Sequence, residues 1–140
     1  RQPLKKQQML TLKSQEFAIL TSSERVLDFL SDTKNYGLLL PANQTSDFQC
    51  TPTQFSFKAA GQVNLALEKQ SVAPQLLHFK GLQSNPFAFD LYVHLQQQEG
   101  QTTGHIEIKA DLNMMLKMLI EKPLQKLLTE MAANLAVQLA

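Results

Sequence analysis

The chain ends in one long segment with helical periodicity, from Leu112 to Ala140, which follows a series of strand-like segments. When this segment is drawn as an α-helix, its apolar residues lie within an arc of about 140°. They are Leu116, Ile120, Leu124, Leu127, Leu128, Met131, Leu135 and Leu139. An amphipathic helix must bury such a stripe, and the largest partner in this sequence is the preceding sheet. This C-terminal segment therefore predicts a sheet packed against one long helix, with space for a pocket between them.

From Asp47 to Leu112, apolar and polar residues alternate, which is typical of strands that bury one face. Turn-forming residues separate the runs at Thr51-Pro52, Ala60-Gly61, Ala73-Pro74, Asn85-Pro86 and Glu99-Gly100. Hairpins that turn at these points pair Cys50 with Phe55, Phe57 with Leu65, Phe55 with Leu67, Leu67 with Phe79, Phe79 with Leu91, Val93 with Ile106 and Leu91 with Ile108. Because each hairpin places apolar residues opposite each other, we predict an antiparallel sheet with one apolar face.

The other face of this sheet is predicted to be polar and to meet water. It carries Ser56, Lys58, Asn64, Glu68, His78, Lys80, Asp90, Tyr92, His94, His105, Glu107 and Lys109. Glu68 is expected to form a cross-strand charge pair with His78. Asp90 is expected to pair in the same way with Lys109, and each pair should stabilise the fold by less than about 1 kcal/mol.

Two histidines on this polar face raise the question of a metal site. His94 lies across from His105 when the hairpin turns at Glu99-Gly100, and histidines on neighbouring strands can ligate zinc. A third ligand would have to be Glu107 or Tyr92, at a less suitable spacing. The sequence therefore predicts a surface histidine pair and no metal site.

The part of the chain before the sheet predicts a strand over Leu10 to Leu20 and two short helices. Thr21 and Glu24 have the spacing of a capping box, which would start the first helix. This helix is expected to end near Asp32, and a second short turn covers Lys34 to Leu40.

The final helix has two unusual features. Pro123 removes a backbone donor and is expected to kink or split the helix. Met114, Met115 and Met118 lie around the whole helix circumference, so at least one of them should be exposed or meet a partner. They fill the core, or they form a pliable pocket mouth or an interface.

Length and composition indicate a single domain. We assign the basic, glutamine-rich residues 1–9 to a flexible arm and residues 10–140 to the domain. The net charge of +1 is too small to attract nucleic acid by long-range electrostatics. No stretch approaches the roughly 20 apolar residues of a membrane span. The single Cys50 is expected to be a buried structural thiol rather than a nucleophile. We therefore expect a cytoplasmic protein, either a monomer or a homodimer.

The order of elements is a strand, two short helices, an antiparallel run of strands and a long C-terminal helix. Several segments add to this order, namely Ser22 to Asp32, Leu39 to Pro41, Pro86 to Phe89 and Ala110 to Leu124. On these residues the chain resembles the START/Bet v 1-like superfamily. Within it, the chain is most similar to small uncharacterised bacterial members of the polyketide cyclase/dehydrase-like (SRPBCC) group.

The resemblance implies an α+β helix-grip fold, in which a seven-stranded antiparallel sheet wraps around the C-terminal helix with an apolar cavity between them. It also implies a binder of lipids, sterols, hormones or polyketides, because most members of the superfamily bind such molecules. A minority are cyclases, aromatases or dehydratases, and these place polar acid or base groups inside the cavity.

The apolar face of the sheet and the stripe of the helix would line that cavity. The sheet side comprises Phe55, Phe57, Leu65, Leu67, Phe79, Phe89, Leu91, Val93, Ile106 and Ile108. The helix side comprises Leu116, Ile120, Leu124, Leu127 and Met131. This surface is nearly pure hydrocarbon, so the expected partner is a small apolar ligand, and the sequence predicts no cofactor.

Few titratable residues are predicted to face inward. Glu16 shares a strand face with Leu10 and Leu12, and in an apolar cavity its raised pKa would suit a general acid or base. A bulge near Phe17 would instead turn Glu16 into solvent, so we assign no catalytic residue. Gly81, on the inner face, either leaves room for a ligand or lets the helix approach closely.

Three functions remain open on the sequence. The first is a module that binds an apolar ligand, and the second is a cyclase or dehydratase that uses Glu16 or another polar group near the helix. The third is a structural or interaction protein whose side chains fill the cavity. A pocket well below about 300 Å³ would favour the third over the first.

Overall fold

The structure, a computed structural model, describes residues 8–59 and 63–140. Within these residues eight strands form one sheet: β1 Gln8–Lys13, β2 Phe17–Ile19, β3 Thr45–Cys50, β4 Gln54–Ala59, β5 Val63–Ala73, β6 Leu76–Gly81, β7 Ala88–Gln98 and β8 Gln101–Leu112. The helices are α1 Ser23–Ser31, a 3-10 turn Thr33–Asn35, α2 Tyr36–Leu39 and α3 Met114–Gln138. Most of the predicted arm and the predicted turn at Ala60-Gly61 lie outside the described residues.

The sheet is antiparallel throughout, in the order β1-β8-β7-β6-β5-β4-β3, and β2 pairs with β8 as well. Its apolar face packs against α3, and the core is continuous from the sheet to the helices. The predicted α+β helix-grip fold is therefore confirmed.

The first strand is divided, and this is why the sheet has eight strands where the sequence predicted seven. Ser14 lies at the division, buried beside β8. Its amide donates to the Ile106 carbonyl at 2.8 Å, and its hydroxyl accepts from the Ile106 amide at 2.9 Å. The Ser14 hydroxyl thus takes the place of a backbone carbonyl as the acceptor for the Ile106 amide. The chain bulges at the next two residues, Gln15 and Glu16, which are exposed. The strand also begins earlier than predicted, at Gln8.

Six of the seven predicted apolar pairs across the hairpins are confirmed. The exception is Leu67, which lies opposite Gly81 instead of Phe79. The turn between β5 and β6 is formed by Pro74 and Gln75, later than predicted, because proline favours the second position of a β-turn. A bulge in β5 between Lys69 and Ser71 then moves the register back by one residue, so Leu67 pairs with Gly81.

The same shift corrects one predicted charge pair on the polar face. Glu68 lies opposite Lys80, so its predicted pairing with His78 is wrong. The His78 ring instead contacts Asp90, with 2.7 Å between Nε2 and Oδ1. Asp90 lies opposite Lys109 as predicted.

Cys50 is exposed, so the prediction of a buried thiol is wrong. It lies opposite Phe55 as predicted, but β3 is an edge strand, which has a neighbour on one side only among the described strands. A bulge in the middle of β3, where Asp47 has a φ of 56°, shifts its register by one residue. Alternation therefore predicts the face on which Cys50 lies but not its burial.

Helix α1 begins one residue later than the predicted capping box. Its N-cap is Ser22, whose hydroxyl accepts from the Arg25 amide at 3.2 Å. Thr21 is held on the sheet instead, because its carbonyl accepts a hydrogen bond from the Thr102 hydroxyl at 2.9 Å. The helix ends at Asp32 as predicted.

Helix α3 continues through Pro123, so the predicted split does not occur. Ile120 and Leu124 are buried on either side of the proline. Their packing offsets the lost backbone hydrogen bond, as tertiary contacts commonly do for helices in folded proteins.

Two side-chain amides tie α3 to the elements beside it. Gln125 Nε2 donates to the Lys13 carbonyl at 2.9 Å, and Asn134 Nδ2 donates to the Leu39 carbonyl at 2.8 Å. The helix is thus held to β1 near its middle and to α2 near its end. No helix in the described part of the chain is long and apolar enough to cross a membrane.

Candidate functional site

A cavity of about 640 Å³ lies between the sheet and α3, where β4 ends and β5 begins. Its apolar walls are Ala59, Val63, Leu65 and Phe87 on one side and Ile120, Pro123, Leu124 and Leu127 on α3. Its polar rim comprises Asn43, Gln44, Thr45, Ser46, Lys58, Lys122 and Lys126. A cavity of this size is within the range of about 300–1,000 Å³ that small-molecule sites occupy.

Phe87 reaches the cavity because the loop after β6 is tied to β5. Asn85 Oδ1 accepts from the Ala66 amide at 2.8 Å, and its Nδ2 donates to the Ala66 carbonyl at 2.9 Å. The side chain thus satisfies β5 backbone groups as a neighbouring strand would. Phe87 then packs on Phe89, with ring centroids 5.3 Å apart.

Gly81 supports this loop, and neither of its predicted roles matches the structure. A Cβ atom at this position would lie 2.8 Å from Asn85 Nδ2 and 2.8 Å from Cδ1 of Phe89. The missing side chain therefore makes room for these two residues rather than for a ligand or for α3.

The turn after α2 positions the polar rim. The Gln44 and Thr45 amides both donate to the Pro41 carbonyl, at 3.1 and 3.0 Å. The Thr45 hydroxyl donates to the same carbonyl at 2.9 Å. This turn places Gln44 Nε2 in a buried position, where it has no hydrogen-bond partner within residues 8–59 and 63–140.

The charged groups of the rim are all basic in the described part of the chain. Lys58 forms an ion pair with Asp47, at 3.5 Å, in which both side chains are partly exposed. Lys122 and Lys126 lie one helical turn apart on α3, and both are exposed. Among the residues that the structure describes, neither has a carboxylate within 4.0 Å.

The opposite end of the space under the sheet is filled by aromatic rings. Tyr36 of α2 stacks on Phe55 with centroids 4.5 Å apart and meets the edge of Phe79 at 5.1 Å. The Tyr36 hydroxyl donates to the Leu30 carbonyl at 2.9 Å. Burial raises the pKa of this hydroxyl far above its ordinary value. Only a gap of about 20 Å³ remains beside this cluster.

The residues predicted to bind a ligand are divided between these two regions. Leu65, Ile120, Leu124 and Leu127 line the large cavity, and Leu65 and Leu127 also border the small gap. Phe55, Phe57, Leu67, Phe89, Leu91, Ile108 and Met131 line the small gap. Phe79 and Val93 are buried in the core, and Leu116 is half-buried against it. The sequence missed Ala59, Val63, Phe87 and the whole polar rim, although the apolar periodicity contained Ala59, Val63 and Phe87.

Glu16 is exposed in the bulge between β1 and β2 and does not line the cavity. Ser14, two residues before Glu16, is buried but already bonded to β8. Within the described residues no carboxyl or imidazole group lines the cavity.

A second group of polar side chains lies on the face of the sheet away from α3. His94 and His105 are opposite each other as predicted, with stacked rings and centroids 4.5 Å apart. Glu107 was predicted to meet water, but it is buried, and its Oε1 lies 2.8 Å from His94 Nε2. Burial and the neighbouring His94 lower the pKa of His105.

One potential ligand atom from each of His94, His105 and Glu107 lies within 4.8 Å of the other two. These are the residues that could hold a metal ion, and the structure brings Glu107 closer than its spacing suggested. They lie across the sheet from the cavity, so they cannot contact a molecule bound there.

The methionines at the start of α3 are exposed, which confirms that at least one would be. Met114, Met115 and Met118 are 52%, 72% and 77% exposed, and Leu119 beside them is 65% exposed. None of the four lines the cavity. They form an apolar patch on the outside of α3.

By sequence, the chain matches no protein-family model and no curated protein. Its backbone is similar to several solved structures. A point mutant of norcoclaurine synthase from Thalictrum flavum is 10% identical, with a TM-score of 0.71 over 95% of each chain. A START superfamily protein from Mycobacterium smegmatis is 13% identical, with a TM-score of 0.66 over 94% of this chain and 96% of that one.

A protein from Thermus thermophilus is 14% identical, with a TM-score of 0.72 over 93% of this chain and 97% of that one. At these identities the likeness concerns the fold and not the chemistry. The resemblance predicted from the sequence is confirmed at that level, and the chain has a START/Bet v 1-like fold.

Proposed function

We propose that the protein binds a small, largely apolar molecule in the cavity between the sheet and α3. The observation that carries this proposal is the open cavity of about 640 Å³ with apolar walls. A core filled by its own side chains would leave far less space than the roughly 300 Å³ at which small-molecule sites begin. The START/Bet v 1-like fold, which commonly binds hydrophobic ligands, supports the same function.

Binding is better supported than acid–base catalysis. A general acid or base must reach its substrate within hydrogen-bond distance. Glu16 is outside the cavity, and the described lining offers no other carboxyl group. The likeness to norcoclaurine synthase, at 10% identity, carries the fold alone.

The location of the ligand can be tested by filling the cavity. Ala59 lines it, whereas Ala18 is exposed in β2, so Ala59→Leu and Ala18→Leu add the same side chain in different places. We expect the wild-type protein to bind one equivalent of decanol or 2-naphthylethanol. Ala59→Leu should weaken this binding by about tenfold or more because it takes up ligand space, and Ala18→Leu should not.

Isothermal titration calorimetry measures these affinities, and native mass spectrometry measures the stoichiometry. A wild-type protein that takes up neither alcohol would overturn the proposal. Equal affinities of the wild-type protein and Ala59→Leu would show that the alcohols bind elsewhere.

We also infer that the protein works in a reducing compartment such as the cytoplasm. The thiol of its single cysteine, Cys50, is free and exposed, and such thiols persist where disulfides are kept reduced.

A further inference from the structure

We propose that the bound molecule is an amphiphilic acid, whose apolar body lies in the cavity and whose carboxylate lies at the rim between Lys122, Lys126 and Gln44. This inference rests on the proposed function and names the class of ligand. It concerns the polar rim, whereas the proposed function depends on the apolar walls.

The first argument is the sign of the charges around the cavity. Lys58, Lys122 and Lys126 belong to its rim, and no acidic residue of the described chain does. Lys58 is partly neutralised by Asp47. Neither Lys122 nor Lys126 has a carboxylate within 4.0 Å among the described residues, so the rim attracts an anion.

The second argument is the spacing of the two helical lysines. Residues four apart on a helix are neighbours on its surface, about 5–6 Å apart at Cβ, and like charges at this spacing repel. A carboxylate between the Lys122 and Lys126 ammonium groups would relieve the repulsion and accept a hydrogen bond from each. Leu124 and Leu127 are buried in the cavity wall, and Lys122 and Lys126 line the same cavity, so the charged and apolar parts of the site adjoin.

The third argument is the amide of Gln44. Its Nε2 is buried at the rim with no acceptor within the part of the chain that the structure describes. A buried N–H group without a partner is unfavourable, and a ligand oxygen would supply the missing acceptor. The amide thus adds a neutral donor to the two cations, and all three suit a carboxylate.

The experiment compares acids with alcohols of the same apolar body. Decanoate is paired with decanol, and 2-naphthylacetate is paired with 2-naphthylethanol, in calorimetric titrations of the full chain. Without recognition, the acid should bind more weakly, because its charge is more costly to remove from water. We expect the wild-type protein to bind each acid at least about tenfold more tightly than its alcohol.

The double variant Lys122→Met/Lys126→Met keeps the apolar stems and removes the charges. It should lose at least about tenfold in affinity for the acids and less than about threefold for the alcohols. The control is Lys80→Met/Lys109→Met, which removes the same charge from exposed positions on the polar face of the sheet. This control should change all four affinities by less than about threefold.

A separate variant, Gln44→Leu, should lower the affinity for the acids by several-fold and leave the affinity for the alcohols nearly unchanged. Three outcomes would overturn the inference. The first is that the alcohols bind as tightly as the acids, and the second is that the lysine double variant lowers the affinities for acids and alcohols equally. In either case the proposed preference for acids is wrong, while the proposed function stands. If the wild-type protein binds none of the four, the proposed function fails and this inference fails with it.

Discussion

The two ends of the space between the sheet and α3 differ in volume although strands β4 and β5 and helix α3 contribute to both. The open end, around Ala59, Val63 and Phe87, encloses about 640 Å³. The packed end, beside Tyr36 and Phe55, leaves about 20 Å³. Both ends have walls of apolar residues that alternate along strands, so the polarity of the walls does not explain the difference in volume.

The size of the side chains does distinguish them. At the packed end, the short helix α2 delivers Tyr36 onto Phe55 and Phe79, and three rings fill the space. At the open end, the strands present alanine and valine where β4 ends and β5 begins. The comparison teaches that alternation decides which face is buried, whereas residue volume decides whether the buried face is a core or a cavity.

The largest expected difference between the two ends is the effect of truncating a phenylalanine. Phe79 is fully buried at the packed end, so Phe79→Ala should lower the free energy of unfolding by about 3–5 kcal/mol. Phe87 borders the cavity, so Phe87→Ala only enlarges an existing space and should lower it by about 2 kcal/mol or less. Urea unfolding followed by circular dichroism measures both. Equal losses would mean that the cavity wall is packed like the core.

The reverse change, adding volume, should also separate a packed position from the cavity. Ala132 is fully buried on α3, so Ala132→Leu should destabilise the fold by about 1–3 kcal/mol through overpacking. Ala59→Leu adds the same atoms to open space and should change stability by less than about 0.5 kcal/mol. If Ala59→Leu is as destabilising as Ala132→Leu, the cavity is not available to a ligand of useful size.

The buried hydroxyl of Tyr36 gives the packed end a pH dependence of its own. Burial raises its pKa above the ordinary value of 10.0, so above that pH the folded state keeps a proton that the unfolded state loses. The stabilisation is complete below about pH 10 and is lost as the pH rises, by up to about 1.4 kcal/mol per pH unit.

Urea unfolding between about pH 9 and 11 tests this dependence. Tyr36→Phe should flatten the decline in stability, whereas Tyr92→Phe should change it less, because Tyr92 is only partly buried on the polar face. A decline that is unchanged in Tyr36→Phe would show that other groups cause it.

The smallest expected effect is that of Zn²⁺ on thermal stability. It tests whether the polar face of the sheet, rather than the open end, binds a ligand. His94 Nε2 is already bonded to Glu107, and a metal ion would have to displace that bond. We therefore expect one equivalent of Zn²⁺ to shift the melting temperature by less than about 1 °C. A larger shift that Glu107→Gln abolishes would identify a metal site on the polar face and contradict the prediction of none.

The sequence predicted the fold well because period-two alternation and turn residues constrain each other. Leu91 could pair with Ile108 only if the turn lay at Glu99-Gly100, and the structure has that pairing. The same reasoning failed at Leu67, because the turn lies later in the chain than predicted and a bulge in β5 only partly compensates for this shift. It failed again at Cys50, because alternation does not identify an edge strand.

The candidate site was less predictable. Leu65, Ile120, Leu124 and Leu127 were recognised from the strand and helix periodicity, but the other predicted residues lie around the packed end or in the core. Tyr36 was not recognised as the residue that fills this end, since a four-residue helix has too few turns for a clear period. The polar rim could not be found at all, because Gln44 and Lys122 come together only through the tertiary fold.

Pro123 has one more consequence for the protein. It forms part of the cavity wall and cannot donate to the carbonyl of Leu119, so α3 lacks one backbone hydrogen bond beside the cavity. The helix should bend there at lower cost than anywhere else along its length. The width of the cavity can therefore adjust to the shape of its occupant, while the more deeply buried turns from Leu127 to Leu135 stay rigid.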